Sequence, residues 1–547
     1  MTGSATLRSL LPRRGDYAGL RRTWRGDVLA GLTVGIVALP LALAFGVSAG
    51  VGPEAGLVTA IVAGLVAAVF GGSTVQVSGP TGAMVVVLLP IVASHGAGAV
   101  AVVSMLAGIL VLVAGVLRWG RLVGYIPWPV IEGFTVGIGV IIFLQQVPSA
   151  LGVGPSGHST NALIAAAESV TEVCFPAALL PLGAVAAVCA IMVVLHRVAP
   201  RAPASFIAIV VVAAIAAVGG IPLDRIGELP QSLPMPALPD LGGQSLLDLI
   251  GPAVAVAALA AIESLLSARV AVSLSDTGPF HADRELVGQG LASVASGLFG
   301  GMPATGAIAR TVVNVRAGAR TRVSAVVHSL ALLAVVYLAA QVVSVIPLAA
   351  LSGVLMVTAA RMISPAVVMR VMRSARADAA VFVITALVTV SFDLVVAVGI
   401  GIAAAAFFAL RSLSRASGVR REELPGPPEP GDERIALFRI DGSLFFGAAD
   451  RVFERIIGHE GLDVVILRLS QLQLVDATGA RTLTDLVTAL EQRGITVLVK
   501  GIRQEHASLL GRLGLIDSLR HPHHLFADLA PAVAHARSHV ARAARGA

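Results

Sequence analysis

Apolar residues dominate the chain from residue 27 to about 410, in runs broken by short polar or Gly/Pro-containing stretches. From 411 to 547 the pattern becomes that of an ordinary globular domain. A helix needs roughly 20 apolar residues to cross the hydrocarbon of a bilayer. On that criterion the runs predict about fourteen membrane helices, at 27–48, 54–71, 80–94, 97–117, 126–147, 173–197, 203–220, 247–270, 287–300, 304–316, 321–341, 343–360, 377–391 and 392–411. Three of these segments are too short to cross alone.

Arginine placement tests the count. With the N-terminus inside, the loops after even-numbered spans should be basic. They carry Arg118 and Arg121, Arg197 and Arg201, Arg269 and Arg284, Arg316, Arg320 and Arg322, then Arg361, Arg370, Arg373 and Arg376. The intervening loop 148–172 has Glu168 and Glu172 but no Lys or Arg, and 219–247 has only Arg225. The alternation places the basic N-terminal segment 1–26 and the soluble tail in the cytoplasm of a cell whose inner (plasma) membrane holds the 27–411 domain. Composition agrees: 56% of residues are apolar and 13% charged, against about 25% charged in soluble domains. The net charge of +7 does not indicate nucleic-acid binding, because the arginines are not interleaved with stacking aromatics. Cys174 and Cys189 form no disulfide framework or metal spacing, and no cleavable signal is expected.

Two segments share a local pattern. Phe70-Gly71-Gly72 is followed by Pro80-Thr81-Gly82-Ala83, and Phe299-Gly300-Gly301 by Pro303-Ala304-Thr305-Gly306-Ala307. Seven spans separate them, so the copies have opposite orientations in the membrane. Short, Gly/Pro-interrupted segments at matching places in two halves point to a transporter site, since irregular backbone at membrane depth is tolerated only where it lines a cavity or is buried in protein. Two half-helices starting near the midplane aim unpaired N–H groups and positive dipole ends at one point, which attracts an anion.

Two ionisable residues sit at depth. Arg310 lies one to two turns beyond Pro303, and Glu263 lies inside the apolar run from Ala257 to Leu266. An unpaired charge there costs on the order of 2.5–3.5 kcal/mol, so such residues tend to be paired or functional. Arg310 is expected to add positive charge to the anion site, and Glu263 to pair with it or to titrate during transport. A static structural role for Glu263 stays open. Phe45 alone reads as ordinary packing.

After a linker at 412–433, rich in Pro, Gly and acids, strand-like runs alternate with helical ones over 434–541, predicting a small α/β domain. Strands are expected at Ile435–Ile440, Val464–Leu469 and Ile495–Val499, and helices at Asp450–Ile457, Gly479–Arg493 and His506–Leu513. No phosphate loop, nucleophile elbow or zinc spacing appears. His521, His523 and His524 read as a solvated turn rather than a metal site.

Several stretches resemble the SulP anion transporters, a family of bacterial sulfate, bicarbonate and dicarboxylate carriers with the animal relatives prestin and pendrin. They are Arg25 to Thr33, Pro80 to Met84, Glu285 to Gly290 and Ser296 to Gly301. The tail resembles the STAS domain of that family through Phe438 to Phe446 and Asp476-Ala477-Thr478-Gly479. The resemblance implies a seven-plus-seven inverted repeat with a core domain moving against a gate domain, and a homodimer; no enzyme, cofactor or metal is expected, since no nucleophile–base pair or metal-ligand set stands in the spans. The resemblance also implies that Phe45, Thr81, Gly82 and Ala83 and the stretch Thr305, Gly306, Ala309 and Arg310 face the substrate, with Glu263 and Ser267 at the coupling position.

The chain departs from the sodium-coupled bicarbonate members, which carry Asp where Glu263 stands, Thr where Ser267 stands, and no Arg at 310. A guanidinium beside a sodium position repels the cation, so sodium coupling is disfavoured and transport is expected to be proton-coupled or by exchange. Ala477 replaces the serine that is phosphorylated in anti-sigma antagonist relatives, leaving Thr478 beside it. The function expected is secondary active transport of bicarbonate, sulfate or chloride. The alternatives are a nucleobase-type permease of similar fold and a membrane sensor signalling through the STAS domain.

Overall fold

The computed structural model describes residues 10–17, 19–121, 126–153, 161–200, 202–229, 231–240, 245–391, 394–445 and 449–546. Arg201 of the basic loops, Phe446 of the tail motif and the first two residues of the last expected span lie outside them. The chain divides into two compact units, Met1–Ile402 and Ala403–Ala547.

Each of the fourteen apolar segments coincides with a helix, thirteen of them within the first unit and the last running past residue 402. They are α1 (Leu20–Ser48), α2 (Gly52–Phe70, with one π turn at Thr59–Ala63), α3 (Gly82–His95), α4 (Gly98–Val116) and α5 (Trp128–Gln145). After α6 (Ala162–Glu172) come α7 (Leu179–Val198), α8 (Ala204–Val218), α9 (Ile250–Leu274), α10 (Ala282–Leu298) and α11 (Ile308–Arg316). Then follow α12 (Val323–Ser344), α13 (Leu348–Met362), α14 (Arg376–Ser391) and α15 (Leu394–Ala416). Helix α6 falls in a stretch expected as loop. Its N-cap Asn161 accepts from the N–H groups of Leu163 and Ile164, a capping signal that the search for long apolar runs passes over.

Among the described residues, eight helices are long and apolar enough to cross a bilayer. Others, such as α3 with 14 residues and α11 with 9, are shorter. Large apolar side chains stand on the outside, Leu338 at 85% and Val342 at 71% exposure, as lipid-facing positions require. Inside, small residues let helices touch. A Cβ on Gly108 would lie 2.7 Å from the carbonyl oxygen of Gly290, and one on Gly290 would lie 2.6 Å from that of Gly108. Glycine at both positions is what allows α4 and α10 to pack backbone to backbone.

Local polar contacts fix the ends. Asp27, fully buried, accepts from the backbone N–H groups of Arg320 and Thr321 at 2.7 and 2.9 Å, and from the Thr23 and Thr321 hydroxyls at 2.8 Å each. Arg284 reaches Asp16 at 2.6 Å.

The second unit holds a six-stranded sheet in the order β3 (Gly418–Glu422), β4 (Ile435–Leu444), β5 (Val464–Arg468), β7 (Thr496–Lys500), β8 (Leu525–Phe526), with β6 (Leu472–Val475) also on β4. All pairs are parallel except β3–β4. Successive side chains of a strand point to opposite faces. Ala436, Phe438 and Ile440 therefore meet helices α16 (Ala449–Ile457), α17 (Ala477–Gln492) and α18 (Gln504–Arg512), while Ile435 and Leu437 meet α19 (Leu529–Gly546).

The sequence placed 418–422 in the linker; they form the edge strand instead, because Gly418–Glu422 pairs residue by residue with Asp441–Leu437. Asp476 caps α17 by accepting from the Gly479 N–H at 2.7 Å, and Thr478 is exposed. His521 and His523 are exposed, as a solvated turn requires, but His524 is not: at 4% exposure it packs against α19.

Candidate functional site

The two broken segments meet. Ser78–Gly79 (β1) and Thr305–Gly306 (β2) pair antiparallel, Ser78 with Gly306 and Gly79 with Thr305. Antiparallel pairing sends the following helices, α3 and α11, away from the crossing in opposite directions. Space is tight at both glycines. A Cβ on Gly306 would stand 1.6 Å from Gln76 Nε2, and one on Gly79, which also has φ +150°, would stand 2.7 Å from Arg310 Nη1.

Both helix starts are left open. Thr81 is the N-cap of α3 but its side chain makes no cap hydrogen bond, and the N-cap of α11 is Ala307, which cannot make one. The first three N–H groups of each helix lack an intrahelical acceptor, so two positive dipole ends share one small volume.

The Thr81 hydroxyl is committed elsewhere. Thr81 and Thr305 each donate to Glu263 Oε2 at 2.9 Å. Glu263 comes from the middle of α9 and is half-buried, whereas its neighbour Ser264 is fully buried and accepts from the Gly306 N–H at 3.0 Å. One helix therefore touches both broken segments.

Arg310 is buried at 2% exposure. Its Nη2 donates to the Pro80 carbonyl at 2.6 Å, and its Nη1 has no hydrogen-bond partner. Pairing with Arg310 is one of the two roles expected of Glu263, and titration is the other. Among the described residues no ion pair joins Arg310 and Glu263, because the carboxylate is taken by two hydroxyls and the guanidinium by a carbonyl. Ser267 lies deeper, its hydroxyl 3.2 Å from that of Thr311. Phe45 is buried with Cε1 3.4 Å from where a Gly82 Cβ would stand, and Ala83 is buried at 3%. Ala309 alone of the group is exposed.

Sequence reasoning missed the supports. Gln76 Nε2 donates to the Ser264 carbonyl at 3.2 Å, and the Val77 N–H donates to Thr311 at 3.1 Å. Glu285 Oε2 accepts from the Gly72 and Ser73 N–H groups, while Gln289 bridges Glu285 to Ser78 at 2.8 and 2.6 Å. A signal existed for this pair: Glu285 and Gln289 stand four apart on one helix face, inside a motif already singled out. Gln76 carried none. A cavity of about 420 Å³ opens between α3, α5 and α9, reaching Val86, Gln145 and Ala255. Ala255 lies eight residues from Glu263, about 12 Å along the helix.

Helices leaving a buried crossing, polar groups gathered there and an α/β tail define a helical membrane transporter with a STAS domain. The sequence profile of the Sulfate permease family matches residues 24–385, and that of the STAS domain residues 427–532. The chain belongs to the sulfate permease (SulP) family of anion transporters. It is 33% identical over 91% of its length to YvdB of Bacillus subtilis (strain 168), which carries a sulfate-transporter name, covering 95% of that protein. It is 30% identical to the bicarbonate transporter BicA of Picosynechococcus sp., over 90% of this chain and 91% of that one. In fold it matches the murine Solute Carrier 26 family member A9 anion transporter in its inward-facing state. The TM-score is 0.82 at 17% identity, over 98% of this chain and 95% of the other. Its relatives are transporters, not enzymes.

Proposed function

We propose that the protein carries a small inorganic oxyanion, bicarbonate or sulfate, across the inner membrane by secondary active transport. The anion is held between the N-termini of α3 and α11. The observation that carries this reading is the crossing itself: two uncapped helix starts, a buried guanidinium with a free Nη1, and the hydroxyls of Thr81 and Thr305 at one place. Backbone N–H groups and a fixed positive charge favour an anion in a water-poor setting. Phe45, Gly82, Ala83, Gly306 and Ala309 complete the lining.

Glu263 is the coupling group, and a proton the coupling ion. As a carboxylate it accepts from both threonines; once protonated it gains a donor of its own. The hydroxyls are then released toward a substrate. Sodium is disfavoured by the buried Arg310 and by the pairing of Ser267 with Thr311. The fourteen helices act as seven plus seven inverted spans in a homodimer, with both termini cytoplasmic, a reading supported by the arginine alternation and the antiparallel crossing. Elevator-like movement of a core carrying α3, α9 and α11 exposes the site alternately.

Purified protein in liposomes should accumulate labelled bicarbonate or sulfate, with unlabelled bicarbonate, sulfate, chloride and uracil as competitors. Competition by uracil alone, or no flux at all, overturns the reading.

A further inference from the structure

The histidines of the tail converge. His535 and His539 stand four apart on α19, so they share one face, and their Nε2 atoms are 3.2 Å from each other. His524, from the turn before β8, packs its ring edge-on against both, 5.5 Å between centroids in each case. One ring nitrogen from each of the three lies within 4.8 Å of the others. His524 is 4% exposed, yet its Nδ1 is buried without a hydrogen-bond partner. Leaving a buried polar atom unmatched is costly, and here it occurs inside a cluster of ligand-type nitrogens.

The distances suit a metal. Zn–N bonds of about 2.0–2.1 Å place tetrahedral ligand nitrogens about 3.3–3.4 Å apart, close to the spacing of His535 and His539. A simple N–H to N hydrogen bond between those two rings would give a similar spacing, but it leaves His524 unmatched. Burial pushes His524 down to about 4 and lowers His535 and His539 as well, so all three rings are neutral near pH 7, as ligands must be. Arg520 and Arg542 stand near enough to disfavour bound protons. The same charges disfavour a loosely held hard cation, whereas imidazole donors suit a borderline transition metal.

We propose that His524, His535 and His539 form a tris-imidazole site for a divalent transition metal of the zinc class in the STAS domain. The fourth position is taken by water or by His521, whose ring lies 6.2 Å from that of His524. The metal would clasp α19 to the 521–526 turn. The site does not depend on the transport reading.

The test uses the full chain in detergent, carrying an affinity tag without histidine and stripped with chelator. Zn(II) affinity and stoichiometry are measured by competition with a colorimetric chelator, and ligand geometry by Co(II) absorption. One Zn(II) per chain with visible tetrahedral Co(II) bands is expected. Both should be lost in His535→Ala/His539→Ala, with Zn(II) affinity at least 100-fold weaker, and should persist in His95→Ala/His196→Ala. Gel filtration and anion uptake show that the variants are folded. Because His524→Ala opens a buried site, His524→Gln serves as the third variant. Wild-type chain that takes up no zinc, or zinc binding unchanged in the double variant, overturns the proposal.

Discussion

Thr81 and Thr305 are separated by 224 positions in the chain, yet their hydroxyl oxygens lie 3.1 Å apart. Each hydroxyl has one proton, and each can place it on the same oxygen of Glu263. The two broken segments are thereby joined at a carboxylate, beside the open starts of α3 and α11. Any change in the charge of Glu263 is felt at both helix ends at once.

Glu263→Gln removes the titrating group while keeping a hydrogen-bond acceptor. In liposomes the wild-type protein should take up anion faster as the outside is acidified relative to the inside. The variant should lose that dependence and retain, at most, exchange of labelled for unlabelled anion. An undiminished response to the pH gradient in Glu263→Gln assigns coupling to another residue.

Arg310→Ala removes the only charge donated to the crossing by α11, and leaves the Pro80 carbonyl without its partner. Uptake at subsaturating anion should fall by about tenfold or more, which corresponds to ~1.4 kcal/mol. Arg310→Lys keeps the charge but not the planar fork, so it should fall in between. Wild-type flux in Arg310→Ala would remove the guanidinium from the site.

Two glycine substitutions separate local from global consequences. In Gly306→Ala the new Cβ meets the flexible end of Gln76 and breaks its bond to the Ser264 carbonyl. Flux should drop while the chain remains monodisperse. In Gly290→Ala the Cβ meets backbone atoms of Gly108 and Leu112, both at 2.6 Å, and helices must part. Overpacking of that kind costs about 1–3 kcal/mol, so thermal unfolding of Gly290→Ala should come earlier than that of Gly306→Ala. The reverse order would mean that the α4–α10 contact is not the tighter of the two.

Much of this was readable in the chain. The paired Pro-Thr-Gly and Pro-Ala-Thr-Gly breaks predicted two half-helices, and the apolar setting of Glu263 and Arg310 marked them as special, because a charge at that depth needs a reason. What could not be read was who bonds whom. Glu263 and Arg310 invite pairing as opposite charges, but the fold gives the carboxylate two hydroxyls and the guanidinium a carbonyl. Gln76 has no periodicity to betray it, since it sits in irregular backbone. His524 looked like its exposed neighbours His521 and His523 because only the return of α19, some ten residues later, buries it. The edge strand at Gly418–Glu422 was hidden for a related reason: an edge strand needs few apolar residues, and its partner lies beyond a Pro-rich turn.

Acid stability of the tail depends on a carboxylate held by α19. Arg537 on α19 grips Asp432, donating from Nε at 2.9 Å and from Nη2 at 2.8 Å, and also binds Glu429. The Arg537 hydrogen bonds hold the Asp432 carboxyl below its usual 3.8. A carboxyl whose folded-state pKa is depressed stabilises the fold above its unfolded value, and that contribution fades as pH falls through the folded value. Asp432→Asn should therefore weaken hydrogen-exchange protection of Leu529–Gly546 at pH 7. The gap between variant and wild type should close as pH drops below about 4. The pair is partly exposed, so the effect should also shrink in high salt. A gap that stays constant from pH 7 to pH 3 would show that α19 is held by its apolar contacts through Ala532, Val533 and Ala536 and not by this carboxylate.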